Sequence, residues 1–524
     1  MKIKRVLISV SDKSGLKELV YVLNKIGVEI ISTGGTKNYI QSLGVNVIDI
    51  SSYTGFSEIL DGRVKTLHPK IHAGLLAVRD NEKHAEIMKE KNIPYIDMVI
   101  VNLYPFSEVI RKAGVTFDEA IENIDIGGPS MLRSAAKNFQ SVAVVSSPNQ
   151  YEKVALELEA LQGELSLSTR KSLAVDVFKK TSEYDNLIFK YLLNEQGEED
   201  KNNDARLFPE NYSVEFLKLF DLRYGENPHQ KGAFYKDIFS NSSGIVNAVK
   251  LQGKELSFNN ILDLDSAWKV SLEFEKPAAV IVKHNNPCGV AMNDTLETAF
   301  IDALDADRES SFGGIMAFNR AITASMAELI LKEGGFIECV LAPDYDSGAL
   351  EFFATKKNIR VLKMPFIGIN QSKEFDLKKV IGGALLQELD MKNISANDLK
   401  IVTKIKPSAS DIDSLLFAWK VVKHVKSNAI VLANGSKTIG IGAGQMSRVN
   451  SVKIAIQRAG NKTKGAFLAS DAFFPMPDSI TEAVNAGVRA IIQPGGSIKD
   501  NEVIEECDKH DIAMVFTCAR HFRH

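Results

Sequence analysis

Lys283 and His284 stand side by side where an apolar, β-branched run, Ala278–Val282, meets Asn285, Asn286, Pro287 and Gly289. The run is too short for a helix and reads as a buried strand, and the residues after it as a turn cluster. The pair therefore sits where a strand leaves the core. An imidazole there can take a proton and return it. An ammonium beside it can stabilise an oxyanion or protonate a leaving nitrogen. A polar strand-to-loop junction without chemistry accounts for the same two residues, so the pair needs support from elsewhere in the chain.

A second polar set lies in residues 63–74, RVKTLHPKIHAG, where Arg63, Lys65, His68, Lys70 and His72 fall within ten positions. Pro69 and Gly74 argue against a long helix. Leu67, Ile71 and Ala73 alternate with polar groups, which puts part of the set on one surface. His68 and His72 have metal-ligand spacing, but no helix is expected there and no HExxH glutamate is present, so a metal site is not expected. A solvated basic loop is the alternative reading.

Two small-residue loops open helices. Ser32-Thr33-Gly34-Gly35-Thr36 precedes a helix over Lys37–Ser42, and Asp125-Ile126-Gly127-Gly128-Pro129-Ser130 precedes one over Met131–Asn138 that carries Lys137. Strand, glycine-rich loop and helix N-terminus make a phosphate cradle, although a tight βα turn needs no ligand. Tyr104 follows the buried strand Asp97–Leu103, at the carboxyl end where open α/β sheets bind ligands.

The elements that must position these residues alternate. Strands are expected at Val6–Val10, Val28–Ile31 and Val45–Ile50. A helix over Leu16–Ile26 follows the capping residues Ser11–Gly15 and ends at Gly27. That is a βαβαβ order and a parallel sheet, closed by a strand at Val142–Val145. Residues 149–195 read as helical and the polar stretch 194–206 as a linker. Beyond it, Gln252–Asp265 runs from a loop into a helix near Asn259. Asp305–Ile315 is charged and then glycine-rich, and Phe336–Tyr345 reads as a strand with Glu338 near its start. KPAAVIVKHNNPCGVA from Lys276 is echoed 150 positions on by KSNAIVLANGSKTIGIGAGQ from Lys426.

With 524 residues, one core is not expected. A net charge of −3 points to neither a nucleic-acid nor a membrane partner. The four cysteines are far apart with no CxxC, which argues for a reducing cytoplasm over a disulfide framework. The N-terminal apolar run is short and reads as a first strand, and no apolar run has transmembrane length.

In this order, SVSDK, STGGT, RVKTLHPKIHAG, NLYPF and DIGGPSMLRSAAKN resemble the inosine-monophosphate (IMP) cyclohydrolase half of a bifunctional purine-biosynthesis family. The other half of that family is an aminoimidazole-carboxamide ribonucleotide (AICAR) transformylase. The run Arg223–Gln230, RYGENPHQ, together with KHNNPCG and the ending RHFRH, extends the resemblance to nearly the whole chain. It implies an α/β fold: a methylglyoxal-synthase-like parallel-sheet domain over 1–146, a helical segment and linker over 147–206, and a transformylase domain over 207–524. The last would be built of two cytidine-deaminase-like lobes, which would account for the echo. The deaminase zinc signature is absent, since there is neither HxE nor PCxxC.

The activity this resemblance implies is formyl transfer from 10-formyltetrahydrofolate to AICAR, giving FAICAR, and then cyclodehydration of FAICAR to IMP. Carried over, His284 is the base, Lys283 assists at the oxyanion or the leaving nitrogen, and Asn434 orients the amine or binds the oxyanion. Arg223, Tyr224 and Lys254 would hold the nucleotide. Glu338, Asp471 and Phe474 would lie toward the folate, with Gly314 and Arg448 also in the binding set. For ring closure the resemblance implies Lys65, Tyr104, Asp125 and Lys137, with loop amides around Ile126–Gly128. Ser11, Lys13, Thr33, Gly34, Gly35 and Thr36 would cradle the 5′-phosphate, and Arg63, Thr66, Asn102, Gly127 and Gly128 would complete the site. The folate is a cosubstrate; no redox cofactor and no catalytic metal are implied. The family implies a homodimer with shared transformylase sites. A chain with only one active half, or a nucleotide sensor without turnover, are the competing readings.

Overall fold

The computed structural model describes residues 1–112, 114–199, 208–238, 240, 244–365 and 375–524, and over 194–199 it describes the backbone alone. The chain forms two compact units, Met1–Glu210 and Asn211–His524.

The first unit runs β1 (Arg5–Val10), α1 (Leu16–Lys25), β2 (Glu29–Ser32), α2 (Gly34–Ser42), β3 (Ile48–Asp49) and α3 (Ile50–Thr54). It continues with α4 (Pro69–Leu76), α5 (Glu82–Glu90), β4 (Met98–Asn102), α6 (Phe106–Val109), α7 (Phe117–Glu122) and α8 (Gly127–Lys137). It ends with β5 (Ala143–Val145), α9 (Tyr151–Ala160) and α10 (Leu167–Glu199). The sheet order is β3-β2-β1-β4-β5 and every pairing is parallel. β1 and β4 are buried almost throughout, which is why they read as unbroken apolar runs.

Two local expectations are corrected. A helix does form in the basic segment: Pro69 takes its first position, where a missing N–H costs nothing, and the His68 side chain caps it by accepting from Lys70 N–H at 3.1 Å. The stretch expected as a linker is helical to Glu199; its remainder, 200–206, lies outside the described residues.

The second unit opens on a hairpin, β6 (Phe216–Leu222) and β7 (Gly232–Asp237). Its first lobe comprises β8 (Val249–Gln252), α11 (Phe258–Ser271), β9 (Ala278–Lys283), β10 (Asn286–Met292), α12 (Leu296–Leu304) and α13 (Arg308–Ser311). The lobe is completed by β11 (Gly314–Phe318), α14 (Ala324–Glu333), β12 (Ile337–Ala342), α15 (Ser347–Ala354) and β13 (Arg360–Lys363). A hairpin follows, β14 (Phe375–Val380) and β15 (Gly383–Glu388). The second lobe comprises β16 (Lys400–Ile401), α16 (Ala409–Val422), β17 (Ile430–Asn434), β18 (Lys437–Gly442), α17 (Arg448–Ala459) and β19 (Phe467–Ser470). It ends with α18 (Asp478–Asn485), β20 (Ala490–Gln493), α19 (Asp500–Lys509) and β21 (Ala513–Phe516).

One mixed sheet carries both lobes in the order β16-β21-β20-β19-β17-β18-β10-β9-β11-β12-β13-β8. Read outward from the central β18·β10 pair, the two halves have the same strand roles and the same pattern of parallel and antiparallel pairings. The echo in the sequence is thus a duplicated lobe. The structural offset is 151 at several positions: Trp268 matches Trp419, and the capping boxes at Ser257 and Ser408 match. α11 and α16 cover one face over a shared core, while α12, α14 and α15 cover the other face in the first lobe and α17–α19 in the second. Alternate strand residues go to opposite cores. Gly289 and Gly440, also 151 apart, admit no side chain, because a Cβ there would run into the carbonyls of Ala303 and Ala455. No described helix is long and apolar enough to cross a membrane.

Candidate active sites

In the first unit β1 leads to β2 on one side while β4 lies on its other, so the crevice at the carboxyl ends of β1 and β4 is a topological switch point. Asn102, the last residue of β4, fills it. Its Oδ1 accepts from Ser11 N–H (2.6 Å), Ser11 Oγ–H (2.8 Å) and Asp12 N–H (3.1 Å), and its Nδ2 donates to Asp12 O (2.7 Å). The Thr36 hydroxyl accepts from Val10 N–H and donates to Val10 O, and Ser9 Oγ lies 3.0 Å from Thr33 Oγ1. α2 begins at Gly34, inside the glycine loop and earlier than the sequence suggested. A Cβ on Gly34 or Gly35 would meet nothing within 4 Å, so the loop faces open space. Lys13 reaches the Ser11 carbonyl at 3.4 Å. Ser11, Lys13, Thr33, Thr36 and Asn102 are therefore neighbours across the ends of β1, β2 and β4.

Asp125 lies at the start of α8. Its Oδ1 accepts from Gly128 N–H at 2.8 Å, and its own N–H donates to the Tyr184 hydroxyl at 2.8 Å. Burial raises its pKa; the Gly128 and Tyr104 N–H groups and the Lys65 ammonium pull the other way. Lys65, Tyr104 and Asp125 are thus brought together. A Cβ on Gly128 would overlap the Asp125 carboxylate, and one on Gly127 would lie 2.5 Å from Thr66 Oγ1. Both glycines are demanded by close approach. Arg63 pairs with Glu122 on α7.

Lys137 is not in this cluster. It ends α8, ten residues from Gly127 and so about 15 Å along the axis, and it is exposed. His72 Nδ1 lies 3.0 Å from Ser134 Oγ, and burial lowers its pKa. Among the described residues no group of three or more His, Cys, Asp or Glu could hold a metal ion.

In the second unit the turn after β9 is shorter than expected. Only His284 and Asn285 are outside the strands, with φ of 54° and 60°, and Asn286–Met292 is already β10. Two consecutive positive φ values at a two-residue loop fit the twist of a hairpin and are uncommon for residues with a Cβ. Asp263 on α11 holds them there: its carboxylate accepts from Asn285 N–H (2.6 Å) and His284 N–H (3.2 Å). Ser266 Oγ adds a bond to Asn285 Oδ1 at 3.0 Å. Sequence reading missed Asp263, which shows no motif; its only signal is a carboxylate on the helix that packs over β9.

Strand pairing gathers further residues at this sheet end. Ile315 is opposite Val282, Gly314 opposite Ile337, and Cys339 opposite Arg360. Lys283, Gly314 and Glu338 therefore share one edge, and Glu338 pairs with Arg360, whose Nε donates to the Glu255 carbonyl beside Lys254. Lys283 Nζ donates to Phe312 O at 2.8 Å. The Arg223 guanidinium lies 5.8 Å from the Tyr224 ring centre, and Asn259 Nδ2 ties their loop to the start of α11 through Glu226 O at 3.4 Å.

Four expected members stand elsewhere. β10 pairs with β18 at Ala291–Lys437, so Asn434 lies at the Met292 end of the hairpin, about 20 Å from His284 by strand rise. Asp471 and Phe474 are fully buried and Arg448 nearly so. Arg448 pairs with Asp471 at 2.5 Å and reaches Asn428 Oδ1 at 2.7 Å, and Asp471 accepts from Ala429 N–H at 3.2 Å. Lys426 N–H, next in that segment, donates to Asn286 Oδ1 at 3.0 Å. Arg448 and Asp471 thus connect to the His284 turn through residues 426–429, and Asp471 O also accepts from His521 N–H, two residues before Arg523, which donates to Ser266 Oγ.

A parallel-sheet unit with open glycine loops and a half-buried aspartate at its strand ends, and a duplicated mixed-sheet unit with a Lys-His turn, define an α/β protein with two separate polar clusters. Residues 15–130 match the family described as "MGS-like domain", and residues 135–458 match "AICARFT/IMPCHase bienzyme". The chain is 52% identical over 523 residues to the "Bifunctional purine biosynthesis protein PurH" of Acetivibrio thermocellus, covering 100% of each. It is 52% identical over 524 residues to the protein of that name from Bacillus subtilis, again covering 100% of each. Among solved structures, "Crystal structure of ForH" is 34% identical, with 35% of this chain and 93% of that one covered and a TM-score of 0.33. The chain belongs to the AICARFT/IMPCHase bienzyme family.

Proposed function

We propose that the two units divide the family's two reactions, ring closure in the first and formyl transfer in the second. The enzyme is an AICAR formyltransferase and an IMP cyclohydrolase, and it performs the last two steps of IMP biosynthesis. The observation that carries the division is that each unit holds its own cluster: Lys65, Tyr104 and Asp125 beside the Ser11–Asn102 and Thr33–Thr36 loops in one, Lys283 and His284 on the Asp263-braced turn in the other.

In formyl transfer the 5-amino group of AICAR attacks the formyl carbon of 10-formyltetrahydrofolate. A C–N bond forms and the carbonyl becomes an oxyanion. His284 takes the amine proton, Lys283 stabilises the oxyanion, and the C–N bond to N10 breaks as that nitrogen regains a proton. Arg223, Tyr224 and Lys254 hold the nucleotide, and Glu338 borders the folate. Arg448 and Asp471 position the turn from behind.

In ring closure the carboxamide nitrogen attacks the new formyl carbon and gives up one proton, the formamide nitrogen gives up its own as the C=N bond forms, and the formyl oxygen takes both and leaves as water. Orientation and oxyanion stabilisation carry most of the step. Asp125 moves the proton, Lys65 and the amides at Gly127 and Gly128 face the oxyanion, and the two cradle loops hold the 5′-phosphate. The reduced folate is the cosubstrate; no metal or redox cofactor takes part.

The far position of Asn434 supports a homodimer in which a second copy brings this residue to His284. Four free cysteines support a cytoplasmic enzyme.

A two-part assay tests the division. Tetrahydrofolate release reports formyl transfer, and IMP made from supplied FAICAR reports cyclisation. His284→Ala should lose about 10²–10⁴ in the first alone, and Lys65→Ala should lose only the second. Loss of both activities in either variant, or of neither, would overturn the assignment.

A further inference from the structure

α10 follows the segment matched as methylglyoxal-synthase-like, and its side chains entered neither site by sequence. Two of them, one turn apart, face the carboxyl ends of the sheet. Lys180 Nζ donates to Ser146 O at 2.6 Å, past the end of β5. Tyr184 is 8% exposed. Its hydroxyl accepts from Asp125 N–H at 2.8 Å and points its own hydrogen at Asn123 O, 3.4 Å away. One hydroxyl thus spans both sides of the residue before the Asp125–Gly128 turn. The ring is held edge-on by Phe106, 6.3 Å between centres, and Phe106 opens α6 two residues after Tyr104.

We propose that Tyr184 is a positioning residue for ring closure, setting where the Asp125 carboxylate stands through the backbone of residues 123–125. The inference rests on the reading that Asp125 works in that reaction.

The physical case is one of accounting for donors. A buried N–H must find an acceptor, and the Asp125 N–H finds only this hydroxyl. Without it the 123–125 backbone turns toward another acceptor, and the carboxylate leaves the Gly128 and Tyr104 amides that hold its charge. The groups facing Asp125 are Lys65 from the preceding loop, Tyr104 from the end of β4, and Tyr184 from α10, with Asp185 beside Tyr184. Of these, only Tyr184 bonds the Asp125 backbone. Loss of two N–H donors raises a carboxyl pKa, so the acid limb of the pH profile should move up.

The test uses the full-length protein and supplied FAICAR. Tyr184→Phe keeps the ring and its packing. We expect a roughly tenfold fall in kcat for cyclisation, about what one buried hydrogen bond is worth. KM should change less than about twofold, the acid limb should shift upward, and formyl transfer should stay at the wild-type rate. Arg170→Met reports loosened docking of α10 alone, because Arg170 bonds the Phe139, Leu165 and Gln140 carbonyls far from Asp125. It should lower Tm and leave the pH profile in place. Wild-type kcat and profile in Tyr184→Phe, with Asp125→Asn inactive, would overturn the proposal while sparing the role of Asp125. Wild-type cyclisation in Asp125→Asn would overturn both. A profile shift of the same size in Arg170→Met would show that Tyr184 acts only by docking the helix.

Discussion

His284 is held in a backbone conformation that residues with a Cβ seldom adopt, and Asp263 is what holds it. The carboxylate accepts both turn N–H groups and is itself pushed toward a higher pKa by burial. Removing it frees two donors and relaxes the turn without touching the imidazole. Asp263→Ala is therefore expected to slow formyl transfer by on the order of tenfold to a hundredfold, in line with ~1.5–3 kcal/mol for hydrogen bonds to a charged group. Cyclisation of supplied FAICAR should be unchanged. Equal rates for wild type and variant in the transfer assay would remove Asp263 from the mechanism. The same logic separates the aspartates: Asp471 looks like a ligand-facing acid in the sequence, yet its partners are Arg448, Ser427 and the Ala429 amide.

At the scale of elements, the duplicated lobes meet in a polar pair that the duplication itself created. Glu273 follows α11 and His424 follows α16 at the same 151-residue offset, and they bond at 2.8 Å, with Lys423 at 3.1 Å. Burial alone would raise the Glu273 pKa. The His424 and Lys423 partners more than reverse that, to about 2. His424 is depressed as well, because its burial outweighs the attraction of Glu273. The two directions disagree about a His⁺–carboxylate pair. We favour a neutral His424 donating a hydrogen bond, with the charge on Glu273 balanced by Lys423, since His424 is the more deeply buried of the two. Both groups bind protons less readily folded than unfolded. Their stabilisation is thus present at neutral pH and is lost as pH falls, for Glu273 between about 4.5 and about 2. Glu273→Gln should lower the urea midpoint at pH 7 and flatten its acid dependence, the difference being on the order of 3 kcal/mol at most. Parallel curves for the two proteins would show that the pair is not a proton-linked contact.

At the scale of the molecule, Asn434 and His284 occupy opposite ends of one hairpin pair. If both serve one reaction, a second chain must supply one of them. Exposed apolar side chains on β6, β7, β14 and β15, among them Phe216, Leu217, Leu377 and Leu385, suit such an association. Sedimentation should find a dimer. An equimolar mixture of His284→Ala and Asn434→Ala chains, each inactive in formyl transfer, should recover part of the activity through hybrid dimers. A fully active monomer in sedimentation would refute the shared site.

Much of this was legible in the chain itself. Buried strands are apolar on both faces, so β1, β4, β9 and β17 could be read directly, and the paired glycines marked where α2 and α8 begin. The alternation of strands and helices fixed a parallel sheet in the first unit, and the echo of one segment in another announced the duplicated lobe. What the chain could not declare depended on long-range pairing. Strand register placed Gly314 and Glu338 beside Lys283 and sent Asn434 to the other end. Burial set Asp471 and Phe474 inside the second lobe. α10 brought Tyr184 to Asp125 across a sequence separation of 59. Local patterns record what each segment can be, because propensity and periodicity act between near neighbours. Which side chains finally meet is set by packing between segments that carry no local trace of one another.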